Sequence, residues 1–315
     1  MQELLNIIKD PSRVRIGGIE DKYLSDTLGR LKGTAAALVF PKSTEEVSAV
    51  MKYAYENGIP VTPRGAGTNL VGSTVPHGNG IILDFSLMNR VLEIDEDTFT
   101  AVVEPGVVLQ DFQKLVESRG LFYPPDPGEK TATIGGNIGN ASPKGDMPQP
   151  LILMDAEVVL TSVDGERRML VDDYIIATKK TALREDEIIT KVIIPKQDFT
   201  HTFFRKIGMR RANAISKLTL SAAATVRDGV LVDFRASSGA AGPKVARSRK
   251  AEELLIGKKV SELHTCKEEF LDAWNTVISP HAMPEYRRNT TRRMLAFFID
   301  ALEAGHAPGR VDIQE

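Results

Sequence analysis

Cysteine is nearly absent from this sequence: Cys266 is the only one in 315 residues. A single thiol cannot close an internal disulfide, complete a zinc site or ligate an iron–sulfur cluster, and it fits a reducing compartment. Long apolar runs are missing too. No stretch approaches the roughly 20 apolar residues of a membrane-spanning helix. The opening Met1-Gln2-Glu3-Leu4-Leu5 lacks the basic segment ahead of an apolar one that marks a secretory signal. Together these absences predict a cytoplasmic protein with no membrane contact. Nor is there a surplus of positive charge: 40 Lys and Arg against 42 Asp and Glu leave a net charge of −2. That argues against a nucleic-acid binder held by phosphate contacts. The five histidines (77, 201, 264, 281 and 306) show no metal-ligand spacing and read as surface or helix-end residues. No metal site is expected.

What is present is ordinary for a globular protein, with 42% hydrophobic and 26% charged residues. The length suggests two domains or one large α/β unit. Charge is unevenly spread. Residues 201–315 hold 19 basic and 13 acidic side chains, and residues 1–200 hold 21 and 29. This fits either differing solvated faces or a docking surface.

Along the chain, a short amphipathic helix (Leu4, Leu5, Ile7, Ile8) leads into a polar, loop-like stretch to residue 35. An apolar strand at 36–40 ends at Pro41. Ser43 and Glu46 then form a capping-box pattern for a helix whose buried stripe is Val47, Val50, Met51 and Ala54, stopped by Gly58 and Pro60. Strands are expected at 80–85, 91–94 and 100–103, and a helix at 108–119. A hairpin over 156–171 turns at Asp164-Gly165, and a strand runs over 188–194. The character changes near residue 200. Three strands at 201–207, 217–227 and 230–237 follow, the last two joined by Asp228-Gly229, a two-residue hairpin signal. Helices are expected at 245–255, 261–278 and 284–303, and a disordered tail at 306–315.

Two glycine-rich segments carry the chemistry. The first is Pro63-Arg64-Gly65-Ala66-Gly67-Thr68-Asn69-Leu70. A pyrophosphate needs several backbone N–H groups converging on one point, and glycines keep side chains out of its way. Alone, such a loop is as easily a plain turn. It lacks the Gly-x-Gly-x-x-Gly of a Rossmann unit and the Gly-Lys-Thr/Ser of a Walker loop. The second runs from Thr131 to Asp146: Thr131-Ala132-Thr133-Ile134-Gly135-Gly136-Asn137-Ile138-Gly139-Asn140-Ala141-Ser142-Pro143-Lys144-Gly145-Asp146. Small hydroxyls, glycines and amides of this kind can hydrogen-bond a diphosphate and a ribityl chain without adding bulk. Pro124-Pro125-Asp126-Pro127 just before it is a rigid loop suited to flanking a planar ring. Two such segments in one chain make a long dinucleotide the natural ligand.

Residues 1–140 resemble the FAD-binding half of the glycolate oxidase flavoprotein subunit and related D-2-hydroxy-acid dehydrogenases. These belong to the vanillyl-alcohol oxidase/p-cresol methylhydroxylase (PCMH) superfamily. The matching text is Phe40-Pro41-Lys42-Ser43-Thr44-Glu45-Glu46-Val47, Pro63-Arg64-Gly65-Ala66-Gly67-Thr68, Glu104-Pro105-Gly106-Val107 and Pro124-Pro125-Asp126-Pro127. Residues 133–303 resemble another branch, the medium, FAD-binding subunit of xanthine dehydrogenase and carbon monoxide dehydrogenase. Here the match lies in Gly135 to Asp146, Lys179-Lys180-Thr181, Phe204-Arg205-Lys206-Ile207-Gly208 and Tyr286-Arg287-Arg288. The changeover falls within about residues 131–146, so the chain looks like a recombinant of two relatives, natural or engineered.

The resemblance implies an α+β fold: a two-subdomain PCMH-type FAD-binding domain over 1–199, then a C-terminal domain of a three-stranded antiparallel sheet with helices over 200–305. It implies noncovalent FAD, since no His or Cys lies in either glycine-rich segment. By the same resemblance Pro63, Arg64, Gly65, Ala66, Gly67, Thr68, Asn69 and Leu70 wrap the pyrophosphate, with Gly72 and Ser73 beyond them. The usual Ser-Gly-Gly is here Val71-Gly72-Ser73, which weakens the assignment past Leu70. Pro125, Asp126, Thr131, Thr133, Gly135, Gly136, Asn137, Asn140 and Ser142 complete the cofactor set. Asp146 is assigned to the ribityl hydroxyls, Ile189 to the isoalloxazine and Lys206 to its pyrimidine end. A plain solvated lysine on an edge strand is the alternative for Lys206. No catalytic residue is identified.

Three functions stay open. One is an electron-transfer flavin subunit, passing electrons from FAD to NAD+ or another acceptor beside iron–sulfur and molybdopterin subunits. The others are an FAD-binding scaffold without turnover and a stand-alone 2-hydroxy-acid oxidoreductase.

Overall fold

The computed structural model describes residues 1–69, 72–95, 100–120, 132–208, 216–307 and 309–311. Its contacts divide the chain into two interleaved units. Unit 1 comprises residues 1–140, 157–170 and 182–194, and unit 2 comprises 141–156, 171–181 and 195–315. The division expected near residue 199 corresponds to the last crossing only. Residues 141–156 and 171–181, assigned from sequence to the first domain, fold with the second unit.

Unit 1 contains two sheets. In the first, β1 (Val14–Ile16), β2 (Ala35–Val39), β3 (Val61–Arg64) and β4 (Gly80–Asp84) lie in the order β1-β2-β4-β3. Strands β2 and β3 run parallel to β4, and β1 is antiparallel to β2. All five residues of β4 are buried, as a central parallel strand requires. Helix α1 (Glu3–Ile8) and helix α2 (Thr44–Glu56) share a core with these strands: Leu4, Ile8, Val47, Val50, Ala37, Val39, Ile81 and Leu83. Each of the Leu, Ile and Val side chains contributes about 1.5–3 kcal/mol through removal from water. Ser43 caps α2 as expected, its Oγ accepting from the Glu46 N–H at 3.3 Å. The reciprocal half of the capping box is replaced. Glu46 turns to the Lys42 N–H (2.8 Å) and the Arg13 guanidinium (2.7 Å).

The second sheet of unit 1 has five strands: β5 (Val91–Asp95), β6 (Thr100–Val103), β7 (Glu157–Ser162), β8 (Gly165–Leu170) and β9 (Ile188–Pro195). Their order is β5-β6-β9-β7-β8. The β7–β8 hairpin pairs Ser162 with Gly165, so its loop is Val163-Asp164, and Gly165 opens β8. Helix α3 (Leu109–Ser118) buries Leu109, Phe112 and Val116. The second glycine-rich segment forms a short helix, α4 (Ile134–Gly139), where no helix is expected from its three glycines.

In unit 2, β10 (His201–Gly208), β11 (Ser216–Arg227), β12 (Val230–Gly239) and β13 (Gly309–Arg310) form a sheet in the order β12-β11-β10-β13. Three long antiparallel strands match expectation. The fourth comes from the tail expected to be disordered: β13 pairs in parallel with His201 and Thr202. Asp228 (φ 50°) and Gly229 (φ 75°) both take the left-handed turn that joins β11 to β12. Helix α5 (Pro148–Leu153) is fastened to β12 by reciprocal bonds, Gln149 Nε2 to Ser237 O (2.8 Å) and Ser237 Oγ to Gln149 O (3.1 Å). Helices α6 (His264–Asn275) and α7 (Pro284–Glu303) cover the sheet around Phe203, Leu220, Phe234, Phe270, Trp274 and Phe298. The helix expected at 245–255 shrinks to Arg249–Glu252. Ala246 instead exchanges two backbone hydrogen bonds with Ser238, which holds the preceding residues extended.

His201 departs from the surface reading given to the histidines. It is buried, with Nε2 donating to His306 O (2.8 Å) and Nδ1 beside Thr200 Oγ1 (2.8 Å). Among the described residues no helix is long and apolar enough to cross a membrane, and no group of His, Cys, Asp or Glu is placed to hold a metal ion.

Candidate functional site

Strand β3 ends at Arg64, and the first glycine-rich loop leaves from the carboxyl end of a parallel sheet. That is where open α/β sheets present ligand-binding loops. The N–H groups of Ala66, Gly67 and Thr68 donate to none of the backbone hydrogen bonds among the described residues. Three successive unbonded N–H groups on a glycine-rich turn are the kind of donors that an anion uses. Gly67 sits at φ 73°, a conformation that excludes most side chains.

Arg64 lies behind this loop. It is 9% exposed, and a Cβ on Gly67 would lie only 2.7 Å from its Cζ. Its Nη2 donates to Lys22 O (2.7 Å), and Cζ stands 5.6 Å from the centre of the Tyr23 ring. Burial pushes the guanidinium below the usual arginine range, against the pull of Asp84 and Tyr23. Its Nη1 is buried without a hydrogen-bond partner. A desolvated cation with one unanswered donor, packed against Gly67 in a loop with unbonded N–H groups, fits a diphosphate.

The second segment meets the first inside unit 1. Thr133 caps α4, its Oγ1 accepting from the Gly136 N–H (3.1 Å), and a Cβ on Gly65 would overlap that same hydroxyl. The other early N–H groups of α4 are also occupied: Ile134 donates to Val107 O (3.4 Å) and Gly135 to Pro105 O (3.3 Å). The N–H groups of Ala66 to Thr68 are thus the ones these bonds leave unoccupied where the two segments meet. Gly135 is glycine because Pro105 Cβ lies 2.7 Å from the place its own Cβ would take. Gly139 has no such reason. It is exposed, and a Cβ there would meet Ile189 Cδ1 at an ordinary 3.8 Å. Gly139 is the last residue of α4, and it leaves an exposed surface there without a side chain. Asn140 joins the loops, with its Oδ1 accepting from Asn69 Nδ2 (3.2 Å) and Ser73 Oγ (3.1 Å). The residues present fit an extended dinucleotide.

The structure thus brings together Arg64, Gly65, Ala66, Gly67, Thr68, Asn69, Ser73, Thr133, Gly135, Gly136, Asn137 and Asn140, with Ile189 at Gly139 and Pro63 exposed at the end of β3. Gly72 (φ 82°) turns beside Leu31. Leu70, Pro125, Asp126 and Thr131 lie outside the described residues. In unit 2, Ser142 turns its Oγ to the Lys144 N–H (3.3 Å). Asp146 and Lys206, given separate roles from the sequence, pair with each other through two contacts of 2.9 Å. Sequence reading missed Tyr23 and Lys22, which hold Arg64; nothing in that polar stretch signals a ligand.

Three family models match parts of the chain. Residues 35–162 match the family described as FAD binding domain, residues 129–197 the FAD binding domain in molybdopterin dehydrogenase, and residues 203–302 the CO dehydrogenase flavoprotein C-terminal domain. Over 121 residues the chain is 46% identical to glycolate oxidase subunit GlcD of Bacillus subtilis, covering 38% of this chain and 26% of that one. Over 130 residues it is 45% identical to D-lactate dehydrogenase of Anaerostipes hadrus, covering 41% and 27%. The chain thus spans only about a quarter of these relatives. In fold it is similar to a chain of carbon monoxide dehydrogenase from Hydrogenophaga pseudoflava, with a TM-score of 0.70 and 19% identity over 85% of this chain and 96% of that one. Quinoline 2-oxidoreductase from Pseudomonas putida 86 contains a similar chain, with a TM-score of 0.66 and 17% identity over 86% and 96%. The chain is an FAD-binding flavoprotein, glycolate oxidase-like toward its start and carbon monoxide dehydrogenase-like after it.

Proposed function

We propose that the chain is the flavin subunit of an electron-transfer oxidoreductase, holding FAD without a covalent bond and passing electrons to NAD+ or another acceptor. The observation that carries this reading is the match of residues 203–302 to the CO dehydrogenase flavoprotein C-terminal domain. The similarity to the hydroxy-acid enzymes covers only about a quarter of their length. Iron–sulfur and molybdopterin subunits are the partners this design calls for. FAD, when bound, supplies the redox centre. The chain's own residues bind and orient it: the N–H groups of Ala66 to Thr68 and the Arg64 charge hold the diphosphate, and Asn137 and Asn140 offer amides beside the exposed surface at Gly139. Asp146 at the ribityl chain and Lys206 at the pyrimidine end, both in unit 2, are assigned by the family resemblance alone. Noncovalent attachment follows from the composition, since neither glycine-rich segment contains His or Cys, and Cys266 is buried in the helical core of unit 2.

A second reading is favoured by the overlap of two family matches over residues 129–162. The chain joins two relatives within about residues 131–146, and it acts as an FAD-binding scaffold without turnover. A stand-alone 2-hydroxy-acid oxidoreductase ranks third. Purified protein is expected to be yellow and to release its flavin on heat denaturation. Flavin that precipitates with the protein would refute noncovalent attachment. Stopped-flow mixing with NADH, glycolate and D-lactate separates the three readings. Reduction by NADH alone supports the first, reduction by neither class supports the scaffold, and rapid reduction by a hydroxy acid supports the third.

A further inference from the structure

The stretch between Lys22 and Leu31 lies ahead of the first regular βαβ unit, yet it contacts the phosphate loop along its length. Thr27 spans the loop. Its Oγ1 donates to Gly67 O at 2.6 Å, and its N–H donates to Asn69 O at 3.3 Å. Both acceptors are carbonyls, so Thr27 turns the oxygens of Gly67 and Asn69 toward itself and away from an incoming anion. Behind the loop, Lys22 O receives Arg64 Nη2 at 2.7 Å, and the Tyr23 ring lies against the guanidinium. Past it, Leu31 Cδ1 lies 2.6 Å from where a Cβ on Gly72 would stand.

The strap is itself fixed. Asp26 is 4% exposed, and its Oδ1 accepts from the N–H groups of Arg30 (2.8 Å) and Leu31 (3.2 Å). The Asp26 N–H donates to Leu31 O (3.2 Å), and Gly33 donates to Leu24 O (2.8 Å). These bonds close a turn between Asp26 and Leu31, with Thr27 as the first residue inside it. Gly67 O and the Thr68 N–H share one peptide plane, so the bond from Thr27 Oγ1 fixes the direction of one of the three unbonded donors.

We infer that residues 22–31 are a strap that pre-shapes the diphosphate-binding loop, with Thr27 as a positioning residue for the cofactor's pyrophosphate. The inference rests on FAD binding at the 64–69 loop. Thr27 does not touch the anion; it acts through the peptides of Gly67 and Asn69.

The test uses the full chain stripped of flavin, titrated calorimetrically with FAD and with ADP, which carries a pyrophosphate but no flavin. Thr27→Val keeps the β-branched shape and loses the hydroxyl donor; Thr27→Ser keeps the donor. Loss of one hydrogen bond that shapes a binding loop corresponds to about a fivefold to tenfold change in affinity. The expected result is that Thr27→Val weakens FAD and ADP by the same factor of about five to ten. Thr27→Ser stays within about twofold, and the apo-protein melts at the wild-type temperature in both variants. Unchanged FAD affinity in Thr27→Val overturns the inference. So does a loss confined to FAD with ADP unmoved, or a loss accompanied by a lower apo melting temperature and not rescued by Ser. Wild-type protein that takes up neither ligand would instead overturn the FAD site, a different result from a binding wild type with an indifferent Thr27→Val.

Discussion

Gly65, in the loop after β3, lies flush against Thr133, the cap of α4: a Cβ on the first would overlap the hydroxyl of the second. The two glycine-rich segments are therefore joined by direct packing. Gly65→Ala must push the cap aside, at a cost of about 1–3 kcal/mol for overpacking. We expect a lower melting temperature and weaker FAD binding together, read by thermal denaturation and flavin titration. Gly67→Val differs in kind. It forces a side chain to φ 73° and against the Arg64 guanidinium, and FAD affinity should fall at least about tenfold through strain of about 1–3 kcal/mol. Unchanged affinity in Gly67→Val would show that the loop is misassigned.

Asp146 and Lys206 allow stability and function to be told apart. Their side chains are 19% and 23% exposed, and Lys206→Met leaves the part-buried Asp146 carboxylate without that cation. The urea midpoint should therefore fall. If the lysine serves the flavin ring, the same variant should lower the flavin reduction potential by tens of millivolts, on the order of 1 kcal/mol of lost charge stabilisation. Spectroelectrochemistry reads this directly, and an unmoved potential would leave Lys206 as a structural residue.

Acid should loosen unit 1 through two carboxylates. Hydrogen bonds from Arg167, working against burial, hold Glu187 below its ordinary value of 4.5, and the Arg184 N–H adds to them. Arg13 does the same for Glu46. An acid whose folded pKa is depressed contributes stability that is fully present above its unfolded pKa and is lost as pH falls through the folded one. Denaturation midpoints are thus expected to be flat above about pH 4.5 and to drop below it. Glu187→Gln should lower the plateau and reduce the slope of the drop; a slope equal to wild type would exclude Glu187 as a contributor.

In unit 2 the carboxylate of Asp155 receives Arg235 (2.8 Å), Arg247 (2.8 Å) and Arg249 (2.7 Å). The Arg247 side chain is only 3% exposed and also holds Glu252. Asp155→Asn keeps the shape but removes the charge that answers these cations. Hydrogen bonds to charged groups are worth about 1.5–3 kcal/mol, so a loss of that size in chemical denaturation is expected, with FAD affinity at wild-type level in the folded protein.

Local signals were legible wherever the chain's own backbone decides the outcome. Asp228-Gly229 demanded two left-handed residues and obtained them, and Ser43 capped its helix. Tertiary partners overrode the rest. Ile134 to Gly139 became a helix because Thr133, Val107 and Pro105 satisfy its first N–H groups, which no helix propensity could reveal. His201 is buried because a tail more than 100 residues away supplies its acceptor. The glycines of the site were readable as a phosphate loop. Its supports were not, because Thr27 and Tyr23 act through the backbone carbonyls and guanidinium of a distant segment and leave no spacing to recognise.

The five-stranded sheet of unit 1 carries one more consequence. Its order sets β6, from before the glycine-rich helix, next to β9, from well after it. Any exchange of ancestry near residue 140 therefore runs its seam through the middle of a single sheet. Such a seam is held by main-chain hydrogen bonds, which every sequence supplies alike, so two lineages can be stitched there, with the side chains flanking β6 and β9 among those that need to be reconciled.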